Sequence, residues 1–366
     1  MRLGRRATLA GAAAFSFAPT ARAQADLTAL ARRAALYLFP LREMYCARWQ
    51  ATVTQGQRLN RLQRLPPEPG RGTLDCTAWL DLSIEPMFLT LPAMGEHTYC
   101  VGLFGLFGPN FACVSRRLHG SAPPPHMIVG PSWKGDPPND VVLLHAPTNA
   151  AWLRGYLLFD GPGGIAGARL LQARTLLETP DMHNERRILE MGELGRIRTY
   201  PPPEALADWA APNSANPFDL FEIGLRALGE GPPPAGDAAL FEELAPLRLR
   251  PGHKFDARAF SATERQAIVA GIASAEAEIR ARPDRVINGW TCHDRDLGAF
   301  VTAEVIELSC EVNGARRHEL HFEPDDPPPA RAVRTWQQGA RFNVRFYEPQ
   351  QALIDGRYKV PKVQAL

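Results

Sequence analysis

The residues Cys76-Thr77-Ala78-Trp79-Leu80-Asp81-Leu82-Ser83 begin a run of short β-forming segments that decides the fold class. Several segments alternate apolar and polar residues with a period of two, and turn residues separate them. The segments that follow the first are 87–91, 98–107, 111–118, 127–129 and 141–145. Because no helical pattern intervenes, we expect these strands to pair antiparallel and to pack as a sandwich or barrel.

Helical patterns flank this run of strands. Apolar residues from Leu27 to Leu38 recur at helical spacing, and they predict a helix that kinks or restarts at Pro40. Ser261-Ala262-Thr263-Glu264 has the form of a capping box and predicts a long helix that ends near residue 281. Further helices are predicted over residues 149–159, 165–177 and 217–228.

The order of these elements predicts an α+β, β-rich protein of several domains. N-terminal helices and an antiparallel β-sandwich are expected over residues 24–180, and a proline-rich linker with short helices is expected over 181–260. Strand-like runs return at 318–322, 332–336 and 342–347. Residues 261–366 are therefore expected to form a helix followed by a β domain.

The N-terminus has the pattern of an export signal. Arg5-Arg6 is followed by an alanine-rich apolar run that is too short to span a bilayer, and then by the small residues of Ala21-Arg22-Ala23. We predict that residues 1–23 are a twin-arginine signal peptide, removed after Ala23, and that the mature protein is periplasmic. An ordinary secretory leader is the alternative, since Thr8 occupies a position where a bulky apolar residue is usual.

The charge pattern excludes one class of function. The net charge is +2, and loss of the four leader arginines changes it to −2. The body of the chain has no run of Lys and Arg, so the electrostatic attraction that dominates nucleic-acid binding is missing. No later apolar segment approaches the length of a membrane span, and none is predicted in the mature chain.

The six cysteines show neither a Cys-x-x-Cys motif nor the spacing of metal ligands, so neither a metal site nor a cofactor is predicted. Cys100 and Cys113 flank a turn at residues 105–110, and they are the candidates for a disulfide across a hairpin. The alternative is that all six are small buried residues with free thiols.

Several segments of the sequence resemble a known bacterial family. The run Gly130-Pro131-Ser132-Trp133-Lys134-Gly135, together with residues 78–83 and 146–152, resembles the domain of unknown function 1254. Asn288-Gly289-Trp290 and residues 345–349 resemble the companion domain of unknown function 1214. The resemblance implies an N-terminal helical segment, a β-sandwich and a C-terminal jelly-roll-like β domain. It carries over no catalytic residues, although some members are labelled murein transglycosylases, and Tyr156 stands where the family commonly has an arginine.

Two places in the sequence have residues suited to ligand binding on strands and loops. Trp79 and Asp81 share one face of a strand, where they would line a sugar-binding groove; the alternative is a core tryptophan beside a carboxylate that satisfies a turn. Lys134 follows a Gly-Pro pair in a loop, where it would contact a ligand or remain a solvated charge.

Two further groups have other chemistry. Asn149 and Arg154 flank the start of a predicted helix, where they would hold an anion, or serve as a helix cap and a surface charge. His293 with Asp294 and Asp296 forms a dense titratable group that fits either acid–base chemistry or a turn.

The predicted function is that of an exported accessory or ligand-binding protein with an aromatic-lined cleft for a glycan or a small apolar molecule. The alternative is a carbohydrate-active enzyme resembling a murein transglycosylase or hydrolase. Such an enzyme needs a carboxylic acid with a raised pKa, and Asp81, Glu85 and Asp136 are candidates among which the sequence does not choose. An oligomer-forming shell protein is a third possibility, and the sequence predicts no oligomeric state.

Overall fold

The computed structural model describes residues 18–68, 72–108, 110–190, 211–231, 233–281, 285–287, 290–292, 305–312, 318–355 and 357–365. Residues 1–17 of the predicted signal peptide, residues 191–210 of the predicted linker, and the group His293, Asp294 and Asp296 lie outside these ranges. The chain divides into two compact units. The first, here called the helical unit, comprises Met1–Glu43, Ala210–Gly229 and Pro233–Arg282. The second, here called the β unit, comprises Met44–Trp209, Glu230–Pro232 and Pro283–Leu366.

The described helices are bounded as follows: α1 Ala18–Trp49, α2 Arg116–His119, α3 Gly161–Arg174, α4 Pro180–Glu190, α5 Asp219–Leu228, α6 Ala238–Glu243, α7 Ala262–Ala281 and α8 Gln351–Ile354. A short π-helix, Gln50–Thr54, follows α1 directly. The helix does not restart at Pro40 as one of the two predicted outcomes would require, because α1 continues through this residue. Leu38 and Leu41 on either side are fully buried, so packing outweighs the cost of a proline inside a helix.

In the helical unit, two glycines allow the helices to approach closely. A Cβ placed on Gly271 of α7 would lie 2.4 Å from the carbonyl oxygen of Thr28 in α1, and one on Gly224 of α5 would lie 2.8 Å from the Cβ of Leu38. The predicted capping box is confirmed. The backbone N–H of Ser261 donates to Glu264 Oε2 at 2.7 Å, and that of Glu264 donates to Ser261 Oγ at 3.3 Å.

The strands of the β unit are β1 Gln63–Arg64, β2 Thr73–Asp81, β3 Met87–Thr90, β4 Tyr99–Gly105, β5 Asn110–Ser115, β6 His126–Val129, β7 Val142–His145, β8 Ala150–Leu158, β9 Leu176–Glu178, β10 Arg285–Ile287, β11 Trp290–Cys292, β12 Val305–Glu311, β13 His318–Glu319, β14 Ala332–Gln338, β15 Arg341–Tyr347 and β16 Gln364–Ala365. They form sheets in the orders β1-β2-β8-β4-β5, β7-β6-β3-β9, β10-β11-β12-β15-β14 and β13-β16. The protein is therefore of the α+β, β-rich class.

The predicted helix over residues 149–159 is wrong. This segment is β8, which lies between β2 and β4 and pairs antiparallel with both. Alanine, leucine and arginine favour helices, but the side chains here alternate: Ala151 and Leu153 enter the core, while Trp152 and Arg154 lie on the opposite face. Ladder hydrogen bonds on both edges and this burial override the local propensity.

The sequence predicts purely antiparallel strands, but the second sheet is mixed. β6 pairs with β7 in parallel, with Met127 opposite Leu143. Residues 130–141 connect the two strands, and a connection of this length can return the chain to the beginning of the neighbouring strand.

The first two sheets share one hydrophobic core. Alternate residues of β2, β4 and β8 point into it, and they meet side chains of β3, β6, β9 and α3. Leu80, Leu89, Leu103 and Leu153 are all fully buried there. A separate core around Trp290, Val344 and Phe346 belongs to the C-terminal strands. No helix within the described ranges is long and apolar enough to cross a membrane.

Candidate functional site

The five-stranded sheet β1-β2-β8-β4-β5 has a second face, turned away from the shared core. Because successive side chains on a strand alternate, the odd-numbered residues of β2 and the even-numbered residues of β8 and β4 lie on it. Arg154 and Tyr156 on this face are only half-buried, whereas Leu153 and Leu157 on the core face are buried. This second face is the candidate functional site.

An aromatic group forms one end of the second face. Trp79 lies directly opposite Trp152, and their rings stack with centroids 5.3 Å apart. The ring of Phe104 lies 6.0 Å from that of Trp152. Trp79 is only 3% exposed, since Leu59 packs on it and Met44 packs against the pair, whereas Trp152 is half-buried. Trp152 is therefore the accessible member of the stacked pair, and Trp79 supports it from below.

Arg154 adjoins this aromatic group. Its guanidinium carbon lies 4.9 Å from the centre of the Trp152 ring, a cation–π distance. The indole N–H of Trp152 donates to Thr77 Oγ1 at 2.9 Å, which fixes the orientation of the ring. Thr77 lies opposite Arg154 in the register of β2 and β8. A charged group thus lies beside a fixed aromatic surface.

The next row across the sheet contains Asp75, Tyr156 and Cys100, which are cross-strand neighbours. One carboxylate oxygen of Asp75, Oδ1, is buried, and it has no hydrogen-bond partner among the described residues. Burial of an unsatisfied polar atom costs free energy and is unusual in native structures. On the same face, the ring of Tyr156 lies 5.1 Å from that of Tyr347.

The two cysteines predicted to form a disulfide lie on this face and are not bonded to each other. The Sγ atoms of Cys100 and Cys113 are 3.0 Å apart, which is longer than the ~2.05 Å of a disulfide bond. They are diagonal neighbours, because Cys100 is opposite Ser115 and Cys113 is opposite Gly102. Cys100 is buried and Cys113 is half-buried, so a reagent approaching from solvent reaches Cys113 first.

Glu348 follows Tyr347 directly and has a strained backbone. Its φ of +47° lies in the left-handed region, which non-glycine residues rarely adopt. Its Oε1 atom is buried without a partner among the described residues, and Oε2 lies 3.9 Å from Arg331 Nε. Glu348 and Asp75 do not stand out in the sequence as polar groups of interest, because neither burial nor backbone strain can be read from residue type.

The five residues proposed from sequence fall into two groups. Trp79 and Arg154 are brought together through Trp152 on the second face. Asp81 is on the same face at the end of β2, but its carboxylate serves a turn, and Asn149 and Lys134 lie outside the face. The Asp81 carboxylate accepts hydrogen bonds from the backbone N–H and the hydroxyl of Ser83, at 3.0 and 2.6 Å, which satisfies a turn.

Asn149 lies beside the end of β2, where its carbonyl oxygen accepts the N–H of Leu82 at 2.8 Å. No helix begins there, so the predicted helix cap and helix-terminus anion site do not exist at this position. Lys134 is exposed in the loop after Gly130. Of the charged residues in the sequence-based set, Arg154 is therefore the one on the second face whose side chain adjoins the aromatic group, since the carboxylate of Asp81 is used by Ser83.

Other titratable groups of the β unit have structural roles. The buried Glu178 carboxylate accepts two hydrogen bonds from Arg186 Nε, at 2.9 and 3.0 Å, and His183 Nδ1 lies 3.5 Å from it. Burial alone would raise the pKa of Glu178, but the hydrogen bonds from His183 and Arg186 lower it overall. This carboxylate is fully paired and joins β9 to α4.

Two further groups have pKa values shifted by burial. His126 is fully buried with its Nε2 atom 3.2 Å from that of His119, and burial together with this neighbour lowers the pKa of His126 to about 4. The pKa of Glu85 is raised, mainly by partial burial and also by the nearby charge of Asp181. Across the described part of the chain, no cluster of three or more His, Cys, Asp or Glu side chains is arranged to hold a metal ion.

Residues 51–179 match a family model described as a protein of unknown function, DUF1254. This stretch contains the first two sheets and most of the second face. The resemblance of the C-terminal residues to the companion domain stays a prediction. No curated protein matches the chain.

Comparison with solved structures gives two matches that cover nearly the whole chain. The crystal structure of the VPA0106 protein from Vibrio parahaemolyticus is 15% identical, with a TM-score of 0.66, over 94% of this chain and 100% of that one. A crystal structure of an uncharacterized protein from Burkholderia cenocepacia is 10% identical, with a TM-score of 0.35, over 95% and 96% of the two chains. The first similarity supports the fold alone.

Proposed function

We propose that this chain is an exported, periplasmic accessory or ligand-binding protein, and that its second face binds a glycan or a small apolar molecule carrying hydroxyl groups. The observation that carries this proposal is the unpaired, buried Oδ1 of Asp75, on the same face as Arg154 and Trp152. Asp75 and Arg154 are diagonal neighbours on adjacent strands, within reach of one bound molecule.

The three side chains supply complementary interactions. A ligand hydroxyl would donate a hydrogen bond to Asp75 and relieve its unsatisfied state, while the guanidinium of Arg154 would donate to another oxygen. The half-buried indole of Trp152 would contact the apolar face of a sugar ring or hydrocarbon. Trp79 and Thr77 hold this indole in place, so little side-chain freedom is lost on binding.

The test is ligand-dependent thermal stability of the purified chain. A panel of soluble muropeptides, chitooligosaccharides and fatty acids should contain compounds that raise the melting temperature in a concentration-dependent manner. Asp75→Asn and Arg154→Gln should each weaken this binding by about tenfold or more. Arg169→Gln, at an exposed position of α3, is the matched control and should leave it unchanged.

A second measurement separates binding from folding. Because Asp75 Oδ1 has no hydrogen-bond partner among the described residues, Asp75→Asn should leave the melting temperature of the free protein unchanged or higher. If no compound of the panel stabilises the chain, or if Asp75→Asn binds as well as the unchanged protein, the second face is not the ligand site.

The alternative function, glycan cleavage, is favoured by one observation, the raised pKa of Glu85. A carboxylic acid that stays protonated at higher pH is the group that a glycosidase or transglycosylase uses as general acid. Purified chain should then release soluble fragments from murein, and Glu85→Gln should abolish the release without lowering the melting temperature. If the unsubstituted protein releases no fragments from murein, glycan cleavage is excluded and the binding function is retained.

Two parts of the proposal concern the ends of the chain. Arg5-Arg6 and Ala21-Arg22-Ala23 support removal of residues 1–23 as a twin-arginine signal peptide and a periplasmic location. The resemblance to the companion domain supports a jelly-roll-like arrangement of the C-terminal strands.

The cysteine pair supports a disulfide between Cys100 and Cys113 once the protein reaches an oxidising compartment.

A further inference from the structure

The helical unit contains a cavity of about 350 Å³ that is formed by one short segment of chain. This volume is at the lower end of the range of small-molecule sites. Its lining includes Arg248, Arg250, Lys254, Phe255, Asp256 and Phe260. The segment lies between α6 and α7 and has no overlap with the second face of the β unit.

The charges that line the cavity are mostly positive. Arg248, Arg250 and Lys254 contribute cationic side chains, and Asp256 is the acidic residue of the lining. The Asp256 carboxylate already accepts the backbone N–H of Arg258 at 3.0 Å. Lys254 is 81% exposed and lies 4.0 Å from Glu222, a distance too long for a strong pair. The lining therefore favours an anionic ligand.

Arg248 is held in position before any ligand arrives. Its backbone is left-handed, with a φ of +55°. Its Nη1 atom donates to the carbonyl oxygen of Ala259 at 3.4 Å, and its guanidinium carbon lies 5.5 Å from the centre of the Phe260 ring. These contacts direct the guanidinium along the cavity wall, and pre-positioning of this kind reduces the entropy lost on binding.

The floor of the cavity is aromatic and rigid. Phe255 and Phe260 are both buried, and their rings stack with centroids 5.8 Å apart. Phe218 and Phe221 pack against Phe255 at 5.4 and 5.3 Å. An organic acid would place its hydrocarbon part against the parts of Phe255 and Phe260 that line the cavity, a contact that an inorganic anion cannot make.

We propose that this cavity binds a small organic acid, with its carboxylate at Arg248, Arg250 and Lys254 and its apolar body against Phe255 and Phe260. A planar carboxylate matches the fork of donors on a guanidinium. The site is independent of the glycan or apolar ligand proposed for the second face, and the failure of either leaves the other unaffected.

The experiment is a titration of the purified full-length chain with benzoate, phenylacetate and hexanoate, followed by calorimetry and ligand-observed NMR. We expect saturable binding of at least one of these acids. Benzyl alcohol, which has the ring without the charge, and inorganic phosphate, which has the charge without the apolar body, should each bind at least about tenfold more weakly.

Variants locate the binding. Arg248→Asn keeps a residue that tolerates a left-handed backbone, and it should weaken binding of the acid about tenfold or more. Lys254→Gln, at a highly exposed side chain, should weaken it in the same direction without affecting folding. Arg258→Gln removes an exposed cation of the same segment that does not line the cavity, and it should have no effect.

Three results would overturn the proposal. They are the absence of saturable binding for all three acids, phosphate binding as strong as that of the acids, and unchanged binding in both Arg248→Asn and Lys254→Gln. Circular dichroism of each variant establishes that it is folded, and Lys254→Gln decides the question if Arg248→Asn is not.

Discussion

Two residues on the same face of one strand have different environments in this protein. Trp79 and Asp75 lie on the same face of β2, four positions apart. Trp79 is enclosed by Leu59 and Trp152, whereas Asp75 retains a buried carboxylate oxygen that nothing among the described residues satisfies. Residue type favoured Trp79 as a binding residue. The packing above the sheet encloses Trp79, so Asp75, with its unsatisfied oxygen, is the better candidate for contact with a ligand.

The cysteine pair leads to a prediction at this scale. On exposure to oxidised glutathione, thiol–disulfide exchange should join Cys100 Sγ to Cys113 Sγ with release of reduced glutathione, because the two atoms lie only 3.0 Å apart. The bond closes a loop of about 14 residues and should raise the free energy of unfolding by about 2–3 kcal/mol. Peptide mapping by mass spectrometry and thermal melts with and without reductant check both effects.

Single-cysteine variants control this experiment. Cys113→Ser should abolish the oxidation-dependent rise in melting temperature, whereas Cys310→Ser, in the C-terminal sheet, should keep it. Recovery of two free thiols at Cys100 and Cys113 after prolonged oxidation would contradict the prediction.

For several helices and strands, local sequence patterns are sufficient to predict their positions. The strands around Trp79, the hairpin strands β4 and β5, and the capped helix α7 lie within a few residues of their predicted places. Their signals are local, namely alternation, turn residues and a capping box. β8 was mispredicted because its composition favours a helix, and only the two neighbouring strands show that its side chains alternate between faces.

Close helix packing leads to a prediction at this scale. Gly271→Ala should lower the free energy of unfolding by about 1–3 kcal/mol, because the added Cβ would lie 2.4 Å from the backbone oxygen of Thr28. Gly167→Ala in α3 is the matched control. Nothing lies within 4 Å of its Cβ position, so this variant should be neutral or more stable by up to about 1 kcal/mol. Urea denaturation of both variants measures the difference, and equal effects would refute the packing argument.

The buried His126 of β6 predicts a dependence of stability on pH. Its pKa is lowered from 6.5 to about 4 in the folded protein, so the unfolded chain binds the proton more readily between these values. The free energy of unfolding should therefore fall as the pH decreases from about 6.5 to about 4, by up to about 1.4 kcal/mol per pH unit and about 3 kcal/mol in total.

His126→Gln should flatten this dependence in melts recorded between pH 7 and pH 4. His145→Gln, at an exposed position of β7, should retain the slope of the unchanged protein. An identical pH profile in His126→Gln would show that other groups cause the acid sensitivity.

At the scale of the whole molecule, each compact unit is built from segments that are separated in the sequence. The helical unit combines Met1–Glu43, Ala210–Gly229 and Pro233–Arg282, and the β unit uses the segments in between and those that follow. Such an assembly depends on contacts between residues that are distant in sequence, which no local pattern reports. The similarity to the Vibrio parahaemolyticus structure extends over 94% of this chain, so the fold as a whole has a counterpart in a solved structure.

Export of the whole chain is predicted from its first residues. Replacing both Arg5 and Arg6 with lysine should retain the protein in the cytoplasm, because the twin-arginine pathway recognises this pair. Arg2→Lys is the control and should be exported normally. Cell fractionation and N-terminal sequencing check the outcome, with a mature chain that begins at Gln24 expected in the periplasm.

The sequence by itself determined the β-rich class, the positions of most strands of the first two sheets, and the capped helix α7, because each of these depends on patterns within about ten neighbouring residues. The tertiary structure decided that residues 150–158 are a central strand, that Trp79 is enclosed, and that Asp75 Oδ1 has no hydrogen-bond partner among the described residues. It also decided that the cationic side chains between α6 and α7 surround one cavity over buried phenylalanines. Burial and hydrogen-bond satisfaction depend on groups distant in the chain, so they exist only once the sheets and helices have packed.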